Sequence, residues 1–412
     1  MSREKLLVKL ERADSNVSYK KKEIYSGKDL RAAGVEICKS CIYDETIPGI
    51  QFNEKGICNY CKMIENLCDQ YCTGGIKGKK LLQRIVEEIK RVGDNRKYDC
   101  VVGVSGGTDS SYTLYKAVEM GLRPLAVHYD NTWNSAIATE NIRKITNKFG
   151  VDLYTYVVDN KEADDILRSA FFAGVPDLDA ATDIAITEVL YRAANEFKIN
   201  YILEGHSFTA EGVSPLGNAY FDGKYVSDIH RKYGRMKMKT FPNMGFWKFI
   251  YWILIKRIKK VRPLWYLKYS KEAAQKLLSN KCGWQYYGGH HLENRIAAFS
   301  HSYYLPFKFK IDQRNNALSA AVRNGILTRD EALAEYAKAP YIEEDLIQYF
   351  KKRIGISDSD FENIMKGPKR SYKDFKTYKK RFERMRPFFF LLAKANLVPM
   401  SFYIKYTSKS EI

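Results

Sequence analysis

The sequence predicts an α/β fold, a doubly wound parallel sheet with a cysteine-rich segment before it and a mostly helical region after it. Three observations carry this expectation. Short apolar runs alternate with helix-period segments between residues 98 and 203, the first run ends in a Gly-Gly turn, and beyond His230 the strand signal gives way to basic, aromatic, helical sequence. Residues 1–75 are expected to form a cysteine-bearing N-terminal unit, 76–230 the α/β domain and 231–412 a helical substrate- or partner-binding region.

Along the chain, Met1–Leu30 is charged and reads as irregular or edge-like. Ala33–Thr73 holds six of the eight cysteines. Leu81, Leu82, Ile85 and Ile89 have helical spacing. Tyr98–Val104 reads as a buried strand, Ser111–Met120 as a helix, Arg123–His128 as a strand, Thr139–Phe149 as a helix and Asp152–Val158 as a third strand. A helix over Ala180–Phe197 and a strand over Asn200–Leu203 follow.

Cys38-Lys-Ser-Cys41 and Cys58-Asn-Tyr-Cys61 are two C-x2-C pairs with 16 residues between them. Each knuckle presents two thiolates, and two knuckles close a tetrahedron, so Cys38, Cys41, Cys58 and Cys61 are the expected ligands of a structural Zn2+. Ligand type alone does not separate zinc from an iron–sulfur cluster. Cys68 and Cys72 fit the spacing less well, and Cys100 belongs to a strand.

In Val101–Ser111 a strand runs into Ser105-Gly106-Gly107-Thr108-Asp109-Ser110-Ser111. Glycines let the backbone approach a ligand, and the N-terminus of the following helix offers N–H donors to phosphate. Hydroxyls at Ser105, Thr108, Ser110 and Ser111 add donors, and Asp109 suits a Mg2+ that bridges phosphate oxygens. This is no Walker A loop, since no G-x4-G-K-[ST] is present. Gly103-Val-Ser105-Gly106-Gly107 does satisfy the nucleophile-elbow pattern of α/β hydrolases, but an elbow has no use for the Thr-Asp-Ser-Ser that follows.

The SGGTDSS string after a strand resembles the signature of PP-loop ATP pyrophosphatases, the adenine nucleotide α-hydrolase-like fold. The resemblance implies ATP bound by Ser105, Gly106, Gly107, Thr108, Asp109 and Ser110, with the adenine near His128 and Asp130 and with Gly205 and His206 close by. From Ile37 to about Ile356 the chain looks like the N-acetyl sugar amidotransferase family of WbpG-like proteins. Besides the cysteine pairs and the loop, the resemblance rests on Pro176-Asp-Leu-Asp179-Ala-Ala-Thr182-Asp183, Glu204-Gly205-His206-Ser207 and Trp284-Gln-Tyr-Tyr287-Gly288-Gly289-His290-His291-Leu-Glu293. Phe309-Lys-Ile-Asp312-Gln-Arg314 and Leu318–Leu333 complete it. Family members read GGKHHES and DKRKAHLS where this chain has Gly289–Glu293 and Asp312–Ser319, so several of the family's basic residues are replaced.

The resemblance implies amidine formation. An acetamido oxygen of a nucleotide sugar is adenylated by ATP, and ammonia from a separate glutaminase subunit displaces AMP, as in lipopolysaccharide O-antigen synthesis. Ser105 and Asp109, with His290, His291 and Glu293, are the expected catalytic groups, and Asp179, Asp183, Asp312, Arg314 and Arg329 the expected substrate contacts. For His290, His291 and Glu293, structural hydrogen bonding and metal binding stay open, as does a surface ion pair for Asp312 and Arg314. A tRNA-modifying PP-loop enzyme is the alternative, weakened because Cys282 alone follows the loop. A zinc module that binds nucleic acid without catalysis is a third.

Lys and Arg number 68 against 48 Asp and Glu, a net of +20, but the excess is local. Residues 231–271 hold 13 basic and no acidic residues, residues 366–394 hold 11 against two, and the remainder is close to neutral. The segments suit a membrane or partner surface, a phosphate-bearing substrate or a solvated face; a nucleic-acid partner is not expected. No apolar run reaches the length of a membrane span and Met1–Asp14 lacks a signal-peptide core, so the expectation is a cytoplasmic protein, with peripheral contact at the inner membrane face as one reading of the basic segments.

Overall fold

The computed structural model describes residues 27–212, 220–288, 293–395 and 397–408. Nearly all of Met1–Leu30, and both His290 and His291, lie outside the described residues.

Five strands, β1 (Cys100–Gly103), β2 (Pro124–Asp130), β3 (Leu153–Val157), β4 (Tyr201–Leu203) and β5 (Lys259–Val261), form one parallel sheet in the order β3-β2-β1-β4-β5. Pleating sends alternate residues to opposite faces, and over β1, β2 and β4 both faces are covered. Val101, Leu125 and Val127 pack on one side with Ile184, Val189 and Trp252. Cys100, Val102 and Ala126 pack on the other with Leu114, Ile142 and Ile145. The helices around the sheet are α1 (Asn59–Tyr71), α2 (Ile76–Val92), α3 (Thr108–Glu119), α4 (Ala136–Phe149), α5 (Asn160–Ala173) and α6 (Ala180–Glu196). Ser135 and Asp159 cap α4 and α5 by accepting from Ala138 N and Glu162 N. After β3 the chain returns to place β4 on the far side of β1. The crevice at the carboxyl ends of β1 and β4 is therefore the switch point where such sheets bind ligands.

The predicted strands and helices form within a few residues of their expected ends, and the doubly wound class holds. Several elements escape the sequence reading, α1 among them, and two show why. In α5 the buried face includes Glu162, Asp165 and Arg168, which breaks the apolar period. These acids are buried because they accept backbone N–H groups of the next segment: Asp165 from Arg235 at 2.8 Å, Glu162 from Thr240 at 2.9 Å. The other is β5, a short lysine-bearing strand in a segment expected to be helical. Its lysines protect a sheet edge and pair with acids of neighbouring elements, Lys259 with Glu88 at 3.1 Å and Lys260 with Glu204 at 2.5 Å.

The three sequence regions interlock. β5 completes the sheet, and the cysteine segment packs on residues 314–337, where Leu30 and Ile42 join Leu327, Leu333 and Tyr336 in one apolar cluster. Among the described residues no helix is long and apolar enough to cross a membrane.

Candidate active site

β1 hands the chain to a tight loop before α3. Gly106 has φ +79°, and a Cβ there would stand 2.1 Å from the Ala138 carbonyl oxygen, so only glycine fits. Its carbonyl accepts from Trp284 Nε1 at 3.0 Å and Asn141 Nδ2 at 3.3 Å. The Trp284–Tyr287 string is thus folded back over the loop. Ser110 Oγ accepts from Ser105 N at 3.2 Å and lies 3.1 Å from Ser105 Oγ. Gly205, just after β4, lets that strand close on α3: a Cβ would come within 2.8 Å of the Asp109 carbonyl.

A cavity of about 500 Å³ opens at this switch point. Its lining includes Ser105, Ser110 and Gly205, with His128 near the end of β2 and Asn131 and Asn134 just after it. The lining also carries Asp177 and Asp179 just before α6 and Asp183 in its first turn. Glu293, Asn294 and His301 come from the C-terminal half, and Lys405 from the last helix, Met400–Thr407.

Local hydrogen bonds place these groups. Ser135 N donates to the Glu293 carbonyl at 2.8 Å, and Asn294 Nδ2 donates to Asn131 and Asn134 at 3.3 and 3.2 Å. This stitching holds the Glu293 carboxylate over the loop, with Oε1 3.2 Å from where a Gly107 Cβ would stand. His301 and Leu305 reach the cavity from a π-helix, Ser300–Phe309, whose wide turns accommodate Pro306. His128 Nδ1 lies 2.9 Å from the Val104 carbonyl, which only accepts, so the ring donates there and Nε2 accepts from Asn134 at 3.1 Å. Burial lowers its pKa, so His128 is a neutral imidazole. Burial pushes the Asp177 carboxyl up to about 8, against the pull of Lys405. Burial likewise lowers the Lys405 ammonium, against Asp177, Asp183 and Asp179.

Of the residues singled out in the sequence, the cavity brings together Ser105, Ser110, His128, Asp179, Asp183, Gly205 and Glu293. Gly106, Gly107 and Thr108 shape the loop beneath it. Asp109 is not at the surface of the cavity: its carboxylate accepts from Tyr269 Oη and pairs with Lys271 at 3.1 Å. Burial pushes it up to about 6, Glu211 adding and Lys271 opposing. Asp130 accepts from Thr132 N at 2.7 Å and closes the turn after β2. His206 accepts from Trp265 Nε1 at 3.1 Å, and burial, then Arg262, lowers it to about 3.

The remaining expected substrate contacts are engaged elsewhere. Asp312 pairs with Arg314 at 2.6 Å, and Arg314 also donates to the Lys338 carbonyl at 2.7 Å. Arg329 donates to the Cys38 and Cys41 carbonyls at 2.9 and 3.3 Å, so it grips the knuckle. The sequence reading did not single out Asp177, Asn131, Asn134, Asn294, His301 or Lys405. Asp177 stood inside the Pro176–Asp183 string and was legible there. Lys405 had no local signal, because only the tertiary fold brings the last helix to the cavity.

The four cysteines converge. The ligand atoms of Cys38, Cys41, Cys58 and Cys61 lie within 4.8 Å of one another, and all four residues are buried. Backbone N–H groups point at sulfur: Ser40 N to Cys38 Sγ and Cys58 N to Cys38 Sγ at 3.3 Å, and Tyr43 N and Cys61 N to Cys41 and Cys58 Sγ at 3.4 Å. Four thiols with such donors fit a tetrahedral metal centre with no open position.

Residues 293–386 match the model of the LPS biosynthesis protein WbpG-like, C-terminal domain. The first residue of the match, Glu293, is the carboxylate over the glycine loop, so the matched region and the sheet share one cavity. The chain is also 24% identical over 323 residues to the uncharacterized protein MJ1599 of Methanocaldococcus jannaschii, covering 77% of this chain and 98% of that one. Among solved structures it overlaps NMN synthetase from Francisella tularensis (14% identity, TM-score 0.30, 69% of this chain and 95% of that one). It also overlaps NH3-dependent NAD synthetase from Campylobacter jejuni (14% identity, TM-score 0.29, 70% and 97%). Overlaps at this level leave the fold to be read from the strand order itself.

Proposed function

We propose that the chain is an ATP-dependent amidotransferase that turns an acetamido group of a nucleotide sugar into an acetamidino group, with ammonia from a separate glutaminase, in bacterial surface glycan synthesis. The observation that carries the reading is the shared cavity: the Ser105–Ser110 loop at the switch point faces Glu293 and Asn294 of the WbpG-like region. The family resemblance supplies the reaction.

The loop N–H groups and the Ser105 and Ser110 hydroxyls take the phosphates, at the positive end of α3. The acetamido oxygen attacks the α-phosphorus and pyrophosphate leaves, giving an O-adenylyl imidate. Ammonia adds to the imidate carbon, a proton is lost, and AMP departs with the former carbonyl oxygen. No covalent bond to the protein is needed, so catalysis is orientation and charge neutralisation. When bound, Mg2+ neutralises phosphate charge, and Glu293 is the carboxylate placed to hold it; Asp109 sits behind the loop and positions α3 through Tyr269 and Lys271. Asp177, Asp179 and Asp183 face the sugar. Zn2+ at the four cysteines has a structural role.

The test is AMP release by the purified protein given ATP, magnesium, ammonium and a diacetamido nucleotide sugar. AMP that requires both ammonium and the sugar supports the reading; AMP release stimulated by tRNA instead assigns the chain to RNA modification. Cys282 disfavours that second outcome, since its thiol donates to the Leu278 carbonyl at 3.1 Å, outside the cavity lining.

A further inference from the structure

The two basic segments are used differently. In 231–271 several cations pair with acids, Lys248 with buried Glu188 at 2.5 Å, Arg262 with Glu204 at 3.0 Å and Lys271 with Asp109 at 3.1 Å, while Arg231, Lys232, Arg235, Lys237, Lys239, Arg257 and Lys268 are exposed. In the helices Lys379–Arg384 and Arg386–Lys394 the apolar side is buried through Phe382, Phe389 and Leu392. Lys380, Arg381, Arg384, Arg386 and Lys394 remain exposed. Within 379–394 the single acid is Glu383, held by Lys379 at 3.4 Å.

Large apolar side chains stand out of the same region. Trp247 is 74% exposed, Ile255 69% and Leu391 66%. Phe246–Ile250 and its continuation Tyr251–Ile255 bury Phe246, Phe249 and Trp252, and turn Trp247, Tyr251 and Ile255 outward, one helical turn apart. The two segments form one surface. Phe246 packs on Phe382 with ring centres 5.5 Å apart, and the Arg381 guanidinium lies 4.9 Å from the Phe246 ring and 5.8 Å from the Trp247 ring. Exposed apolar side chains in a cationic setting mark an interaction surface.

We propose that this face docks the protein on an anionic lipid bilayer. Trp247, Ile255 and Leu391 enter the headgroup layer, and Arg381, Arg384, Arg386 and Lys394 meet lipid phosphates. An amphipathic indole with basic neighbours suits that interface. A nucleic acid explains the surface less well, because Ile255 and Leu391 are aliphatic and give a base no ring to stack on. The proposal stands independently of the reaction assigned to the cavity.

Flotation of the purified full chain with vesicles tests it. Vesicles of phosphatidylcholine are compared with vesicles to which phosphatidylglycerol is added. The chain should float with the second set only, less so as salt rises. Trp247→Ser with Leu391→Ser, and separately Arg381→Glu with Arg384→Glu, should each weaken binding about tenfold or more. Thermal melting checks the fold of each pair; if the apolar pair unfolds, the charge-reversed pair decides, since its residues are exposed. No flotation with anionic vesicles, or flotation unchanged by the charge reversal, overturns the proposal. Salt-sensitive binding to single-stranded RNA without vesicle binding overturns it as well and gives the face to nucleic acid.

Discussion

The cysteine knuckle and the glycine loop are both short motifs rich in special residues, yet the fold treats them oppositely. Around the knuckle the groups turn inward: three of the four buried sulfurs take backbone N–H bonds, Cys61 Sγ accepts from Arg323, and Arg329 clamps the knuckle carbonyls from the C-terminal half of the chain. Around the loop, polar groups from distant segments line a cavity of about 500 Å³ without filling it. One is a staple between sequence regions and the other a place for chemistry. Changes at the knuckle should therefore cost stability and spare the chemistry, and changes at the loop the reverse.

The largest effect is expected from Cys41→Ser with Cys58→Ser. Losing metal ligands costs folding energy directly, on the order of 5 kcal/mol or more. Thermal melting with and without a chelator reads it; a double variant that melts like the wild type breaks the comparison from the structural side. Next is Glu293→Gln, which should lower kcat/KM for AMP formation about 100-fold, as removal of a group that organises transition-state charge does. Its melting curve should shift by less than about 1 kcal/mol. Arg329→Ala should do the converse: its bonds to the Cys38 and Cys41 carbonyls are lost, at about 2 kcal/mol, with kcat unchanged.

A pH dependence follows as well. Asp177 holds its proton more tightly folded than unfolded, so its contribution to stability is complete below about pH 4. That contribution is lost as the pH rises through about 8. Asp177→Asn should flatten the alkaline side of a stability–pH curve; an unchanged slope would show that the carboxyl is not buried as described.

How much of this could be read from the chain follows the range of the interactions. The knuckle and the loop were legible because their residues are neighbours in sequence and their spacing is dictated by ligand geometry. β1, β2 and β4 were legible because a strand covered on both faces is largely apolar, and β3, half-exposed along its length, through its aromatic and β-branched residues. β5 was not, since Lys259 and Lys260 look like surface residues until Glu88 and Glu204 are seen beside them. The same limit separates the site residues. Glu293 was found through its string and stands over the loop, whereas Arg329 and Asp312, equally marked by their strings, are absorbed by packing. Lys405 was invisible because its partners lie more than two hundred residues away.

The central claim is that the cavity adenylates an acetamido oxygen. The most direct measurement supplies a diacetamido nucleotide sugar labelled with 18O in the acetamido carbonyl, together with ATP, magnesium and ammonium, and follows the label by mass spectrometry. The account predicts that the label appears in AMP, while the sugar loses the oxygen and gains NH. AMP without label, or a sugar that keeps it, would contradict the account.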